Sequence, residues 1–215
     1  MPLTVAAGAV YSRKNVKSME DVSVSELQEK GITYFTEKGV QNTDRALTIA
    51  ANYCRDNNIG TIVVASSTGE TAMQLKKKTG DALEVIAVTY CSGSRFPQAV
   101  KEFNERRAEL EEAGIRIVRG LHALSATEKT FENKYKTGFM PLNIVADSLR
   151  MFSQGMKVCV EVSVMAAEAG FISPDEDVVV LGGSGHGADT AVLMTPAYAA
   201  DMFATKIREI LCMPR

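Results

Sequence analysis

Much of what would mark a specialised chain is missing here. There is no tryptophan, only two histidines, and four cysteines (Cys54, Cys91, Cys159 and Cys212) scattered far apart. No two of them have C-x-x-C spacing and each histidine stands alone, so no zinc site is expected. Unpaired thiols fit a reducing, cytoplasmic location. A basic face is also absent: 24 Lys and Arg stand against 26 Asp and Glu, for a formal net charge of −2, which gives no electrostatic case for nucleic acid. The one basic run, Lys76-Lys77-Lys78, falls where it would end a helix and complement its dipole. No apolar stretch approaches the roughly eighteen residues that would span a bilayer. The weak apolar patch Val5–Tyr11 precedes its basic residues, the reverse of a secretory signal. No linker rich in proline, glycine or serine divides the chain. Residues 1–30 are the least readable part, an N-terminal extension of uncertain structure, and residues 31–215 need only one domain.

The most informative stretch is Ile62–Leu75, IVVASSTGETAMQL. A β-rich apolar run ends in Ser66-Ser67-Thr68-Gly69-Glu70-Thr71, and Ala72–Leu75 then reads as helix. The first amides of a helix have no internal acceptor and carry partial positive charge, so such a loop can hold a phosphate. The plainer alternative is that Thr68 or Thr71 merely caps the helix.

Strand and helix patterns alternate on either side. Gly31–Phe35 is β-prone, Asn42-Thr43-Asp44 opens a helix whose apolar face includes Ala46, Leu47, Ala50 and Cys54, and Val85–Thr89 reads as a buried strand. A helix follows from Pro97 to Ala113, then a third strand at Ile115–Val118. Arg119–Met140 has no clear period. Asn143–Phe152 and Lys157–Ala169 read as helices, the second in spite of a β-prone Val158–Val162, because Val160, Val164, Ala167 and Phe171 recur at helical spacing. Asp177–Leu181 is a fourth strand and Ala191–Thr195 a fifth, too close to it for a crossover and therefore antiparallel. Pro196 is predicted to open a terminal helix reaching Leu211. Before Gly31, a short helix near Val22, Val24 and Leu27 is the only element suggested. Alternation of this kind implies a parallel sheet covered on both faces.

Gly182–Thr190, GGSGHGADT, is the second loop with chemistry in it. Its glycines are followed by a strand rather than a helix, so it fails the context test of a dinucleotide fingerprint. It reads either as a place where backbone amides converge on a ligand or as a hairpin turn. His186 is open to two readings, an acid or ring-stacking group and a merely exposed side chain. Glu161, polar in an apolar segment, either points into a crevice or is a satisfied charge. These two are the only candidate catalytic residues, and no spacing supports them.

Gly60–Tyr90, GTIVVASSTGETAMQLKKKTGDALEVIAVTY, resembles the C-terminal α/β domain of pyruvate kinase, where a strand ends in a Ser/Thr-Gly-x-Ser/Thr loop. A closer resemblance is to a family of stand-alone archaeal and bacterial proteins sharing that domain. It is carried by Thr33-Tyr34-Phe35, Val64–Met73, Val88-Thr89-Tyr90, His122-Ala123-Leu124-Ser125, Lys157–Glu161, Gly182–Val192 and Cys212-Met213-Pro214-Arg215. The resemblance implies a three-layer α/β/α domain with a five-stranded mixed sheet of order 3-2-1-4-5, strand 5 antiparallel. That order would bring the loops after strands 1 and 4 together at a topological switch point. It implies phosphate contacts from Ser66, Ser67, Thr68, Gly69 and Thr71, and close backbone approach at Gly182, Gly183, Gly185 and Gly187. Asp189 or Thr190 would meet other ligand groups, with Tyr90, Cys91, His122 and Ser125 on the same rim. A sugar bisphosphate, with about four negative charges, would be opposed by Glu70. A monophosphate is easier to hold, and the resemblance implies flavin mononucleotide (FMN) as that ligand. The expected function is therefore binding of a phosphorylated small molecule, with or without flavin redox chemistry. The alternative is a non-catalytic sensing module for another phosphometabolite such as a sugar phosphate. Pyruvate kinase activity is not expected, since the catalytic barrel takes around 250 residues. Self-association is left open.

Overall fold

The computed structural model describes residues 29–125, 127–136 and 139–215. The short helix suggested near Val22, Val24 and Leu27, and the apolar patch at Val5–Tyr11, lie outside the described residues. One compact unit spans Gly31–Arg215. Its elements in order are β1 (Thr33–Phe35), α1 (Thr43–Asp56), β2 (Thr61–Ala65), α2 (Glu70–Thr79), β3 (Glu84–Thr89), α3 (Pro97–Glu112), β4 (Arg116–Arg119), α4 (Glu128–Tyr135), α5 (Pro141–Arg150), α6 (Gln154–Glu168), β5 (Val178–Gly182), β6 (Thr190–Thr195) and β7 (Lys206–Pro214).

The strands form one mixed sheet of seven, in the order β1-β7-β6-β5-β2-β3-β4. β2 pairs in parallel with β3 on one side and β5 on the other, β3 pairs in parallel with β4, and β5 turns back antiparallel into β6. This core has the expected order and the expected antiparallel strand, but the five-stranded count is corrected to seven. β7 adds to the free edge of β6 antiparallel, and β1 adds to β7 in parallel. The terminal helix predicted from Pro196 to Leu211 is absent. A 3-10 turn over Ala199–Ala204 leads instead into β7. The segment KIREILCMP holds good helix formers, but β6 offers unpaired backbone beside fully buried Ala191, Val192 and Met194. Ladder hydrogen bonds along that edge outweigh local propensity, which is a weak prior. Irregular pairing between Ala191 and Val192, and again between Leu193 and Met194, lets the charged half of β7 stay exposed while Leu211, Cys212 and Met213 turn inward.

Two layers of helix cover the sheet. Ala46, Leu47, Ala50 and Cys54 of α1, Ala72 and Leu75 of α2, and Phe103 and Leu110 of α3 pack on Ile62, Val64, Val85, Ala87, Val179 and Leu181. On the other face α6 packs Met156, Cys159, Val160 and Ala166 on Val63, Ile86, Val88, Val178, Val180 and Val192. Alternation along each strand therefore feeds two separate cores. Central strands buried on both faces explain their unbroken apolar runs. The Val158–Val162 stretch is helical, as its spacing predicts: α6 is buried along almost its whole length, and its β-branched residues fill the core. The irregular stretch after β4 contains α4, and α5 then leads into α6.

α6 begins unusually close to the sheet. A Cβ on Gly155 would strike the Thr190 side chain and Asp189 Oδ1, and one on Gly182 would strike the Gly155 carbonyl. Gly155 needs to be glycine because side chains at the start of β6 crowd it, and Gly182 because the α6 backbone does. Gly155→Ala, which would favour an isolated helix, is expected to destabilise the fold by about 1–3 kcal/mol through overpacking. Thermal denaturation should show this as a drop of roughly 3–10 °C in Tm.

Candidate functional site at the carboxyl ends of the parallel strands

The parallel pairing of β2 with β5, Ile62 opposite Val179 through Val64 opposite Leu181, brings the loops that follow them to one end of the sheet. The loops after β3 and β4 share that rim.

Ser66–Gly69 is shaped by backbone demands. Ser66 is buried; its amide donates to the Val88 carbonyl (2.9 Å), and its Oγ accepts from the Ala72 amide (3.3 Å). Neither Thr68 nor Thr71 caps the helix: the N-cap is Gly69, and Ser66, three residues before it, accepts from the third amide of α2. Gly69 sits at the N-cap in a left-handed conformation (φ 85°) and faces Leu110 and the Arg106 stem of α3. The amides of Glu70 and Thr71 keep no intrahelical acceptor, so positive potential remains at the start of α2. Glu70 does not close the site from within. It is exposed, and its carboxylate accepts from Gln74 Nε2, one turn along α2.

One arginine from outside the loop sequence touches it, and a second stands beside Thr89 on the neighbouring strand. Arg106 Nη1 of α3 donates to the Thr68 carbonyl (3.0 Å). Arg119 closes β4 directly opposite Thr89, whose Oγ1 donates to the Ser67 carbonyl (3.4 Å). The Arg119 guanidinium lies over the Phe103 ring, 5.4 Å from its centroid. Its Nε and Nη2 are buried and have no hydrogen-bond partner among the described residues. Burying a charged donor without an acceptor is costly, so these two donors call for an explanation. Neither residue was marked by the sequence. Both lie more than thirty positions from the loop, and only the β3–β4 pairing and the placement of α3 bring them near.

The glycine-rich loop after β5 has protein for neighbours. Gly183 faces the Gly187 carbonyl, and Gly187 faces Thr43 Oγ1 and Val40 at the start of α1. Asp189 is fully buried: its Oδ2 accepts from the Gly39 amide (2.9 Å) and its Oδ1 from Thr190 Oγ1 (3.0 Å). Thr190 in turn lies 3.1 Å from the Ser153 Oγ that caps α6, and the Ala188 amide donates to Thr43 Oγ1 (3.0 Å). These contacts tie the hairpin to the starts of α1 and α6. Ser184 is half-buried, Gly185 and His186 are exposed, and these form the tip of the loop.

On the α6 side of the rim, Tyr90 stacks on Phe96 (centroids 5.2 Å apart) and lies 5.7 Å from the His122 ring. Glu161 is a satisfied charge that also borders the crevice. Its Oε2 meets Lys157 Nζ at 2.6 Å and His122 Nδ1 at 3.5 Å, and its Oε1 accepts from the Leu124 amide at 3.2 Å. The structure thus pairs Glu161 with His122 and not with His186. Burial pushes the Glu161 carboxyl up, but the His122 hydrogen bond and the Lys157 ammonium overcome it and hold the carboxyl down to about 2. Burial and the Glu161 charge push the Tyr90 phenol up, against the pull of Arg95. Cys91 and Ser125 are half-buried beside this group. Of the remaining thiols, burial pushes Cys54 and Cys212 up to about 12 and Cys159 well up, so all three are inert. A cavity of about 330 Å³ lined by Cys54, Arg55, Asn58 and Thr79 opens at the opposite end of the sheet, beside Gly60 and Leu83 where β2 and β3 begin. Arg55 is the charged residue in its lining.

With this geometry in view, comparison with known proteins gives a family. Residues 44–194 match the model of the pyruvate kinase alpha/beta domain. The chain belongs to that family. Solved structures that resemble it include a pyruvate kinase from Cryptosporidium parvum, at 16% identity and TM-score 0.36, over 74% of this chain and 24% of that one. The same enzyme in complex with ADP matches at 15% identity and TM-score 0.35, over 73% and 24%. A methyltransferase from Podospora anserina with bound SAH matches at 13% identity and TM-score 0.31, over 62% and 50%. The pyruvate kinase alpha/beta domain described here thus spans about a quarter of the pyruvate kinases it resembles. Among the described residues no helix is long and apolar enough to cross a membrane.

The lowered Glu161 carboxyl makes stability depend on acid. A group depressed in the folded state stabilises fully above its unfolded value, near 4.5, and that contribution is lost as pH falls to about 2. Urea denaturation should show this loss between those values in the unaltered protein. Glu161→Gln strands Lys157 as a buried charge and is expected to cost about 3–5 kcal/mol at neutral pH. Adding Lys157→Met should recover most of it.

Proposed function

We propose that the rim binds a phosphate-bearing small molecule, and that FMN is the ligand. The observation that carries this reading is the buried Arg119 guanidinium with unpaired Nε and Nη2, on the same face as the start of α2. A phosphate would give acceptors to both at once: charge-assisted bonds from the arginine, and backbone bonds from the first amides of α2. Arg106, already anchored on Thr68, adds positive potential. Glu70 turns along α2 toward Gln74, so its charge weighs less against a phosphate at this loop.

A ring of the size of isoalloxazine needs an apolar face near that phosphate. Phe96, exposed and stacked on Tyr90, supplies one directly after the strand whose Thr89 touches the phosphate loop. Ser184 and Gly185, at the open tip of the β5 loop, are the part of that loop free to meet ribityl hydroxyls. Asp189, Thr190, Gly182 and Gly187 support the site by holding the hairpin in place.

Titrating the protein with FMN should quench flavin fluorescence saturably at tens of micromolar or below. Riboflavin, which lacks the phosphate, should bind much more weakly. Arg119→Met is expected to weaken FMN by about 1.5–3 kcal/mol, the usual loss for a charged hydrogen bond, while leaving riboflavin unchanged. A chain that ignores FMN but gains thermal stability from sugar phosphates would instead be a sensing module for those metabolites.

A further inference from the structure

The α6 side of the rim holds groups that phosphate binding does not use. Lys157 and Glu161 lie one helical turn apart with side chains only 9% and 6% exposed, while the His122 side chain between them and solvent is 25% exposed. A buried ion pair of this kind gives little net stability compared with apolar residues of the same volume, so stability alone does not explain it. The arrangement does define the histidine. With Nδ1 3.5 Å from a carboxylate oxygen, the tautomer this contact favours has its proton on Nδ1 and a free electron pair on Nε2. The Leu124 amide, two residues beyond His122, donates to the other oxygen of the same carboxylate, so the strand end and α6 are fastened together at this point.

We propose that His122, oriented by Glu161, is a general base for a small molecule bound at this rim, with water or a substrate hydroxyl as the group it deprotonates. This rests on the rim being the ligand site. In the step, a bond forms between Nε2 and the proton while the O–H bond breaks and its electron pair stays on oxygen. That oxygen attacks an electrophilic carbon or phosphorus, the bond to the leaving oxygen breaks with its pair, and the imidazolium returns its proton to the leaving group or solvent. The Glu161 carboxylate faces the imidazolium charge, and Lys157 keeps Glu161 ionised when the histidine is neutral. Glu161 and Lys157 are positioning residues. The charged and titratable groups around His122 are these two from α6 and Tyr90 from the loop after β3, with Arg95 acting on Tyr90.

Hydrolysis of p-nitrophenyl acetate is a probe that needs no phosphate. The unaltered protein should release p-nitrophenolate at least tenfold faster than His122→Asn. Glu161→Gln combined with Lys157→Met, which preserves the packing, should lower the His122-dependent kcat more than it changes KM, because the ring is no longer oriented. Glu161→Asp, which keeps a carboxylate, should retain part of that rate. Equal rates with and without His122, or a His122-dependent rate indifferent to the double replacement, would overturn the proposal. Acylation by diethyl pyrocarbonate and peptide mapping reports both histidines of the chain in one sample, and should show His122 acylated. Saturating FMN should slow both reactions at His122. FMN that binds without slowing them would place the base outside the ligand site and overturn the proposal. His122-dependent hydrolysis in a chain that binds no FMN would uphold the base while refuting the flavin reading.

Discussion

β2 is the constraint on which this fold turns. It is hydrogen-bonded in parallel on both sides, to β3 and to β5, although β5 begins more than a hundred residues later. Parallel pairing forces the chain to cross back over the sheet after each strand, so α2 and α3 are laid on one face and α6 on the other. It also puts the carboxyl ends of β2, β3, β4 and β5 on a single rim. Ile62, Val63 and Val64, all fully buried, secure that position from both faces at once, at about 1.5–3 kcal/mol for each side chain buried.

The rim has a division of labour that follows from side-chain alternation. Thr89 and Arg119 end their strands pointing toward the α3 layer, where they meet the Ser66–Gly69 loop and Phe103. Tyr90, one residue on, belongs to the α6 layer with His122, Glu161 and Lys157. One residue along a strand thus separates a side with two arginines from a side with a histidine paired to a buried carboxylate. The hairpin after β5 closes the third side. Its glycines serve packing against α1 and α6, and its buried Asp189 ties together the amide of Gly39 and the side chain of Thr190.

Edges explain the two strands beyond the expected core. β6 carries buried apolar residues along almost its whole length, and an exposed ladder beside such a strand is a template for unwanted pairing. β7 covers it, and β1 covers β7 with a three-residue strand, short enough to end the sheet. The family model covers residues 44–194 and therefore includes neither added strand.

Sequence alone determined what depends on local pattern. Unbroken apolar runs marked β2, β3 and β5 because both their faces are buried. The turn-and-return at Gly182–Thr190 fixed an antiparallel partner because the seven residues between β5 and β6 leave no room for a crossover. Helical spacing prevailed in α6 because its apolar residues repeat at that period. Tertiary structure decided the rest. KIREILCMP became a strand because β6 lacked a neighbour, a fact with no trace in its own composition. Arg106 reached the Ser66–Gly69 loop, Arg119 came to lie opposite Thr89, and Glu161 joined His122 rather than His186, through pairings between residues distant along the chain. Charge and hydrogen-bond partners are chosen by proximity in space, and a sequence read locally contains only the donors and acceptors, not the distances between them.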